Sequence, residues 1–553
     1  MRSRPTCAVQ YPTTVAFPTT AAETFTPDES RALAPYFTNT DRPVFVLTNL
    51  PETVKGALFA RYSRSAKSVR RLFLDEFLGE IGANGETAAP QTGAVGTARA
   101  DNLYARVLSE YGDDSVAQLG GAHLACEGVS NVLTKVLEWG RLMAYLEQST
   151  RYVPYTGRPD GRWKYHVPAE LDGSPLRAAF IRTLDLAFDT YAALIPTLEA
   201  HFRAKYPQSP EDSDAVYKSV VRAKALDTLR GLLPAATTSN VGLFGTGQAY
   251  EALLLRMFAH PLHEVRDCAE QMLTELRHVI PAFLARVDQP NRGGRWIEYL
   301  AETRRGFDVI AEPFLAEAAT DLRGEVTLTD FDPEGETKVV AAALYAFSAL
   351  PDDQLLAIAR RISPDERAAL LRAYVGTRAN RRHKPGRAFE RTSYRFDILA
   401  DYGAFRDLQR HRLLTLDWQP LSARHGYVEP AAIEEAGALA DWRAVMEQSA
   451  DLYEQLTAQG LREVAPYAVV MAYRVRFYME MNAREAMHVI ELRTSPQGHP
   501  SYRRVCQLMH RAIAEGAGHR AIAAAMEFAD HSEVELERLQ SERSMEKRRS
   551  AMG

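Results

Sequence analysis

Apolar residues recur at helical spacing over Leu176, Ala179, Phe180, Leu184, Phe188, Tyr191 and Leu194, which predicts a long amphipathic helix with one buried stripe. A second helix is expected over Val216 to Leu233. Further along, the same periodicity runs from Ala431 through Leu461 and again from Val464 to Met481, predicting another long helix pair. Two stretches are rich enough in apolar and β-branched residues to be strands, Ala122 to Leu137 and Tyr394 to Leu399. Each precedes a short arginine-bearing segment, Trp139 to Tyr152 in one case and Arg410 to Ser422 in the other. The order strand, arginine segment, helix, helix therefore occurs twice, which reads as a duplication within an α+β chain that is helix-rich overall.

The interruptions in this pattern divide the chain. Residues 81–100 (IGANGETAAPQTGAVGTARA) carry Gly, Ala and Thr without apolar periodicity and read as a loop insertion. Acidic residues, Pro and Gly cluster at Asp330 to Glu336, placing a boundary there. The expected organisation is an N-terminal extension over 1–40, a first repeat over 41–330 and a second over 331–553. At 553 residues, two or three hydrophobic cores are expected.

Composition narrows the function classes. The chain is 46% hydrophobic and 25% charged, as in ordinary globular proteins. No apolar run reaches the length of a membrane span and the start lacks a continuous apolar signal segment, so a cytoplasmic location is expected. Cys7, Cys126, Cys268 and Cys506 are far apart with no CxxC pair, which argues against zinc, a disulfide framework or a dithiol centre. They read as buried or incidental thiols. A net charge of −5 provides no global field for a nucleic acid polymer. Phosphate binding must then come from local arginine clusters, which suits a mononucleotide.

Three clusters carry candidate chemistry. In Glu147-Gln-Ser149-Thr-Arg151, polar groups alternate, so an extended backbone would place a carboxylate, a hydroxyl and a guanidinium on one face. Arg151 and Ser149 suit a phosphate and Glu147 a sugar hydroxyl or base; a solvated strand edge with a Glu147–Arg151 ion pair is the alternative. Arg410-His411-Arg412 concentrates positive charge that calls for an anion or a carboxylate partner close by, a diphosphate or flavin ring being suited, or is an exposed basic turn. Asn482-Ala-Arg484-Glu485 has the form of a helix N-cap, with Arg484 and His488 one turn apart near the helix start, where an anion is favoured. Pairing of these basic residues with Glu485 and Glu491 on the helix surface is the competing reading.

Together these pieces resemble the flavin-dependent thymidylate synthase (ThyX) family. That family carries Arg-His-Arg, seven residues and then Ser, with Glu two before the Ser and Arg two after. The first half has Trp139-Gly140-Arg141, seven residues and Ser149, with Glu147 and Arg151 in place; the second has Arg410-His411-Arg412 but Trp418, Pro420 and Ser422 in the later positions. The family's later motif is likewise divided. Arg230 and Arg256 stand in the first half, with Gly245-Thr-Gly247 where Asn-x-Arg belongs, while Asn482, Arg484, His488 and Arg493 stand in the second, with Pro466 where the early Arg belongs. Glu390 lies where the family has a flavin-contacting Glu upstream of Arg-His-Arg.

The resemblance implies two tandem ThyX-like domains, each a twisted, mainly antiparallel sheet flanked by helices. It implies FAD, with methylenetetrahydrofolate and NADPH as co-substrates, and reductive methylation of dUMP to dTMP. Carried over residue by residue, Glu147, Ser149, Arg151 and Arg230 are expected to contact the nucleotide. Glu390, Arg410, His411, Arg412, Asn482, Arg484 and His488 are expected to contact the flavin, and Arg493 and Arg256 to orient the pyrimidine during catalysis. The divided motifs lead us to expect a composite site between the repeats and a homodimer that rebuilds a four-domain assembly. Trp418 and Pro420 keep open the alkylation of a different pyrimidine nucleotide, and the lost residues keep open a non-catalytic nucleotide- or flavin-binding paralogue.

Overall fold

The computed structural model describes residues 23–50, 52–79, 117–118, 120–316, 318–319, 321–536 and, near the C-terminus, 538–539, 542–544 and 546–547. The loop insertion at 81–100 and Cys7 lie outside the described residues.

Eight strands form two four-stranded antiparallel sheets of the same plan. In the first, β1 (Val44–Leu47), β2 (Gly121–Ser130), β3 (Met143–Glu147) and β4 (Thr238–Thr246) are ordered β1-β2-β4-β3. In the second, β5 (Val326–Phe331), β6 (Ser393–Asp401), β7 (Thr415–Trp418) and β8 (Arg474–Asn482) are ordered β5-β6-β8-β7. The α+β duplication expected from the sequence is thus present. Because β5 pairs with β6, the second sheet begins ahead of the Pro/Gly cluster rather than within it.

The helices repeat as well. In the first half α1 (Glu52–Tyr62) precedes the sheet's second strand, and α2 (Asn131–Leu137), α3 (Leu176–Lys205), α4 (Asp214–Leu229), α5 (Gly247–Phe258) and α6 (His263–Arg277) follow it. In the second half α7 (Tyr402–Leu408), α8 (Leu439–Ala458), α9 (Ala483–Arg493) and α10 (Pro500–Arg511) hold the places of α2, the α3 pair, α5 and α6. The apolar stripe read along α3 is buried at Phe180, Leu184, Phe188, Tyr191 and Leu194.

Three expectations fail locally, the first being the helix over Ala431 to Leu461, which breaks at Gly437 (φ 72°) between a short turn of helix at Ala431–Glu435 and α8. The run from Ala122 to Leu137 is a strand only to Ser130, where the Ser130 hydroxyl accepts from the Leu133 N–H and starts α2. The run from Val464 to Met481 is not a helix but a short turn followed by β8, whose residues alternate between buried and half-buried. There, Val475, Phe477, Met479 and Met481 point to the core in a period of two that overrides the helical reading.

The halves are packed into one molecule. Segments that follow Arg230 and Pro466 pair antiparallel across the boundary: Ala235 N–H donates to the Val469 carbonyl at 2.8 Å and Met471 N–H to the Leu233 carbonyl at 2.9 Å, with a bridge between Pro234 and Val470. Pro234 and Val470 are as far apart in sequence as the first residues of β4 and β8, so the pairing lies on a pseudo-two-fold relation between the repeats. One hydrophobic core runs through both halves; a smaller one, including Phe37, Phe45, Phe59 and Phe73, lies under α1. No helix among the described residues is long and apolar enough to cross a membrane. Cys126, Cys268 and Cys506 are buried and free.

Candidate active site

The tail of the first arginine segment and the head of the second meet in one cleft within a single chain. Glu147, Gln148, Ser149, Thr150, Arg151 and Arg230 from the first half line it together with Gly403, Arg406, Asp407 and Arg410 from the second. Its volume is about 40 Å³. A few water molecules fill such a space.

Local structure explains the placement. Strand β3 ends at Glu147 and the chain then turns, Val153 N–H donating to the Ser149 carbonyl, so Ser149 and Arg151 do not continue an extended face as expected. The turn presents Arg151 to the cleft instead. Arg406 and Asp407 lie on α7, capped by Asp401, and Arg410 follows its last turn. A Cβ at Gly403 would come within 2.9 Å of both Arg230 Nε and Asp401 Oδ1, so glycine leaves room for these two groups at the start of α7.

The charges form a buried network. Arg151 donates from Nε and Nη2 to both Asp227 oxygens at 2.7–3.0 Å, and Arg538 reaches the same carboxylate at 3.3 Å. Asp407 accepts from Arg410 at 2.5 Å and from Arg230 at 3.3 Å, with Arg493 at 3.9 Å. Burial would raise the Asp407 carboxyl, but Arg410, Arg230 and Arg493 hold it well below the usual carboxylate range. Glu147 does not pair with Arg151. Its carboxylate accepts from Arg406 at 2.5 Å and lies 3.5 Å from Lys135, and against its burial these cations hold it down to about 2. Three buried guanidinium nitrogens, Arg230 Nη2, Arg406 Nε and Arg410 Nε, have no hydrogen-bond acceptor among the described residues. A buried N–H without an acceptor costs on the order of 1–3 kcal/mol, a cost that an acceptor entering the cleft would offset.

A second group of residues borders the cleft through Arg493. Arg493 Nε donates to His411 Nε2 at 2.9 Å, which keeps this imidazole neutral; burial and the neighbouring Arg493 push its pKa well below the usual histidine value. His411 Nδ1 is 3.8 Å from Glu485, the His411 and His488 rings are 5.6 Å apart, and His488 Nδ1 contacts Lys384. Arg484 lies 3.5 Å from Glu390 and donates to the Pro385 carbonyl. Arg412 reaches across to the Met143 carbonyl. Burial lifts Glu485 to about 7 despite Lys384, Arg484 and Arg412, and lowers His488 to about 4. His411, Glu485 and His488 offer ligand atoms within 4.8 Å of one another. However, the surrounding Lys384, Arg412, Arg484 and Arg493 make the field repel a metal cation and attract an anion. The Asn482 side chain is occupied as the N-cap of α9, accepting from Glu485 N–H at 2.9 Å.

Arg256 lies apart from the cleft, with its guanidinium over the Trp139 ring at 5.3 Å. The caps explain this. Thr246 caps α5 as Asn482 caps α9, so Thr246 and Gln248, rather than Gly245 and Gly247, stand opposite Asn482 and Arg484, and Met257 stands opposite Arg493. The pseudo-symmetric partner of the cleft is built differently: Trp139 and Trp418 meet edge to face at 5.9 Å, and Trp139 Nε1 donates to the Leu416 carbonyl. One of the two equivalent positions is therefore cationic and the other aromatic.

The residues that sequence reasoning missed are the counter-charges: Asp227, Asp407, Arg406, Lys384 and Arg538. Asp407 and Arg406 stand within four residues of Arg410, and their signal was the spacing of one helical turn. Asp227 lies far along the chain, and only the turn after β3 brings Arg151 to it.

The fold and cleft define a two-repeat α+β protein whose halves share an arginine-lined cleft. Consistent with this, the family model described as "Thymidylate synthase complementing protein" matches residues 58–282 and 327–517, and the chain belongs to that family. It is 39% identical over 520 residues to the UPF0159 protein of Chlamydia muridarum, covering 94% of this chain and 98% of that one. The UPF0159 protein Ta1429 of Thermoplasma acidophilum is 30% identical, over 88% of this chain and 97% of its own. A flavin-dependent thymidylate synthase of Clostridium tetani is 26% identical over 186 residues, 32% of this chain and 68% of its own. Among solved structures, the UMP/dUMP methylase PolB of Streptomyces cacaoi bound with 5-Br dUMP is 22% identical with a TM-score of 0.30, covering 38% of this chain and all of that one.

Proposed function

We propose that this protein is a flavin-dependent methylating enzyme for a pyrimidine nucleoside monophosphate, with dUMP as the substrate and one composite site per chain. The observation that carries this reading is the shared cleft, in which Arg151 and Arg230 of one repeat face Arg410 of the other around donors that lack a protein acceptor. Family membership supports the chemistry: reductive methylation with methylenetetrahydrofolate as the carbon donor and NADPH as the reductant.

Arg230 and Arg410 hold the phosphate through their free N–H groups, and the Ser149 hydroxyl stands beside them at the turn. Arg493, held by its bond to His411, donates to a pyrimidine carbonyl and stabilises charge that grows there as the ring is attacked. Glu147, locked to Arg406, keeps the cleft floor rigid rather than touching the sugar. The cationic side chains Lys384, Arg412 and Arg484, with the neutral His488 imidazole beside them, fit the diphosphate of FAD. His411 and Glu390 border the same ground. FAD, when bound there, supplies the hydride equivalents. Lys384 enters this set from the structure, whereas Asn482 serves the helix itself.

The aromatic pair at the equivalent position indicates a single nucleotide per chain. Titration calorimetry with dUMP should give one site per chain, abolished in Arg410→Ala, and the purified protein should take up FAD with a yellow absorbance. Protein that binds no dUMP, or that remains colourless in excess FAD, would rule the reading out.

A further inference from the structure

Asp407 has no part in the assignments above, yet both its oxygens face the cleft's arginines. One accepts from Arg410 at 2.5 Å with Arg493 at 3.9 Å, and the other accepts from Arg230 at 3.3 Å. A carboxylate on the protein thus bridges the guanidiniums that a phosphate would bridge. It arises one helical turn before Arg410, near the C-terminal end of α7.

The charge balance follows from these contacts. Arg406 and Lys135 are matched by Glu147 and Glu138, while Arg151 and Arg538 share Asp227. Arg230, Arg410 and, at the edge of the cleft, Arg493 remain, bridged by Asp407 and with Asp401 3.9 Å from Arg230. The remainder is close to two positive charges, the complement of a single dianionic phosphate monoester. A diphosphate adds negative charge beside a carboxylate that stays ionised, in a low-dielectric cleft where like charges a few ångströms apart repel strongly.

We propose that Asp407 is a specificity-determining residue that restricts this cleft to one phosphate group, selecting monophosphates against diphosphates by charge. The proposal rests on the anion-binding reading of the cleft but not on the identity of the nucleoside. Its test therefore uses inorganic orthophosphate and pyrophosphate on the full-length protein, by calorimetry at fixed ionic strength. The wild type should prefer orthophosphate by about tenfold, Asp407→Asn should lose most of that preference, and Asp407→Glu, which keeps the charge, should retain it. A merely structural role would weaken both ligands together and leave their ratio unchanged, which would overturn the proposal. So would a wild type that prefers pyrophosphate or binds neither anion, and that measurement stands even if Asp407→Asn does not fold. Orthophosphate binding with this selectivity but without dUMP binding would instead sink the nucleotide reading and leave the charge filter in place.

Discussion

Individual arginines in the cleft are not equivalent, because their hydrogen-bonding capacity is committed differently. Arg151 spends Nε and Nη2 on Asp227, whereas Arg230 keeps a buried Nη2 without a protein acceptor. Arg230→Ala should therefore weaken dUMP binding by about 1.5–3 kcal/mol, the range for a charge-assisted hydrogen bond. Arg151→Ala should weaken it less while costing more stability, since it strips a buried carboxylate of its bidentate partner. Calorimetry and thermal melts on the two variants check the ranking, and the reverse order would show that Arg151 is the principal phosphate ligand. Glu485 gives a pH signature. Burial raises its folded pKa to about 7, above the ordinary 4.5, so its contribution to stability is complete below about pH 4.5 and is lost as pH rises through 7. Denaturant unfolding between about pH 5 and about pH 8 should show this decline, and Glu485→Gln should flatten it. Equal slopes in the two proteins would remove Glu485 from the account.

At the scale of elements, the site depends on how α7 approaches the first half. Gly403→Ala would drive a methyl group into the Arg230 guanidinium and against Oδ1 of Asp401, the N-cap of α7. We expect near-normal circular dichroism with dUMP affinity reduced by about tenfold or more, as for loss of one charged hydrogen bond; unchanged affinity would mean that Arg230 repositions freely. The sequence made the strand-to-signature order and the α9 cap legible because both are local: a period of two or 3.6, or an Asn followed three residues later by Glu. It misled over 464–481, where a half-buried strand and an amphipathic helix offer similar apolar content and only pairing with β6 and β7 decides. The cleft's arginines could be read from their spacing, but their acidic partners could not. An Asp on a helix surface and an Asp clamped between three guanidiniums have the same sequence signal, and only assembly of the two halves distinguishes them.

For the whole molecule, the continuous core and the pairing of 231–236 with 467–472 make each half the other's support. Residues 1–320 and 321–553 produced separately should be insoluble or unfolded, and co-production should restore a folded complex with one dUMP site. Independent folding of either half, seen by cooperative melting, would contradict this. The aromatic contact of Trp139 with Trp418 has a consequence for how such a protein can change. In a ring of identical subunits, any replacement is copied into every pocket simultaneously, so a harmful one has no refuge. Once the gene is doubled, one pocket can be surrendered to hydrophobic glue while its twin keeps its chemistry. Saturation mutagenesis should then reveal a lopsided tolerance: matching positions at the ends of β3 and β7 will obey different rules, polar demands at one and packing demands at the other.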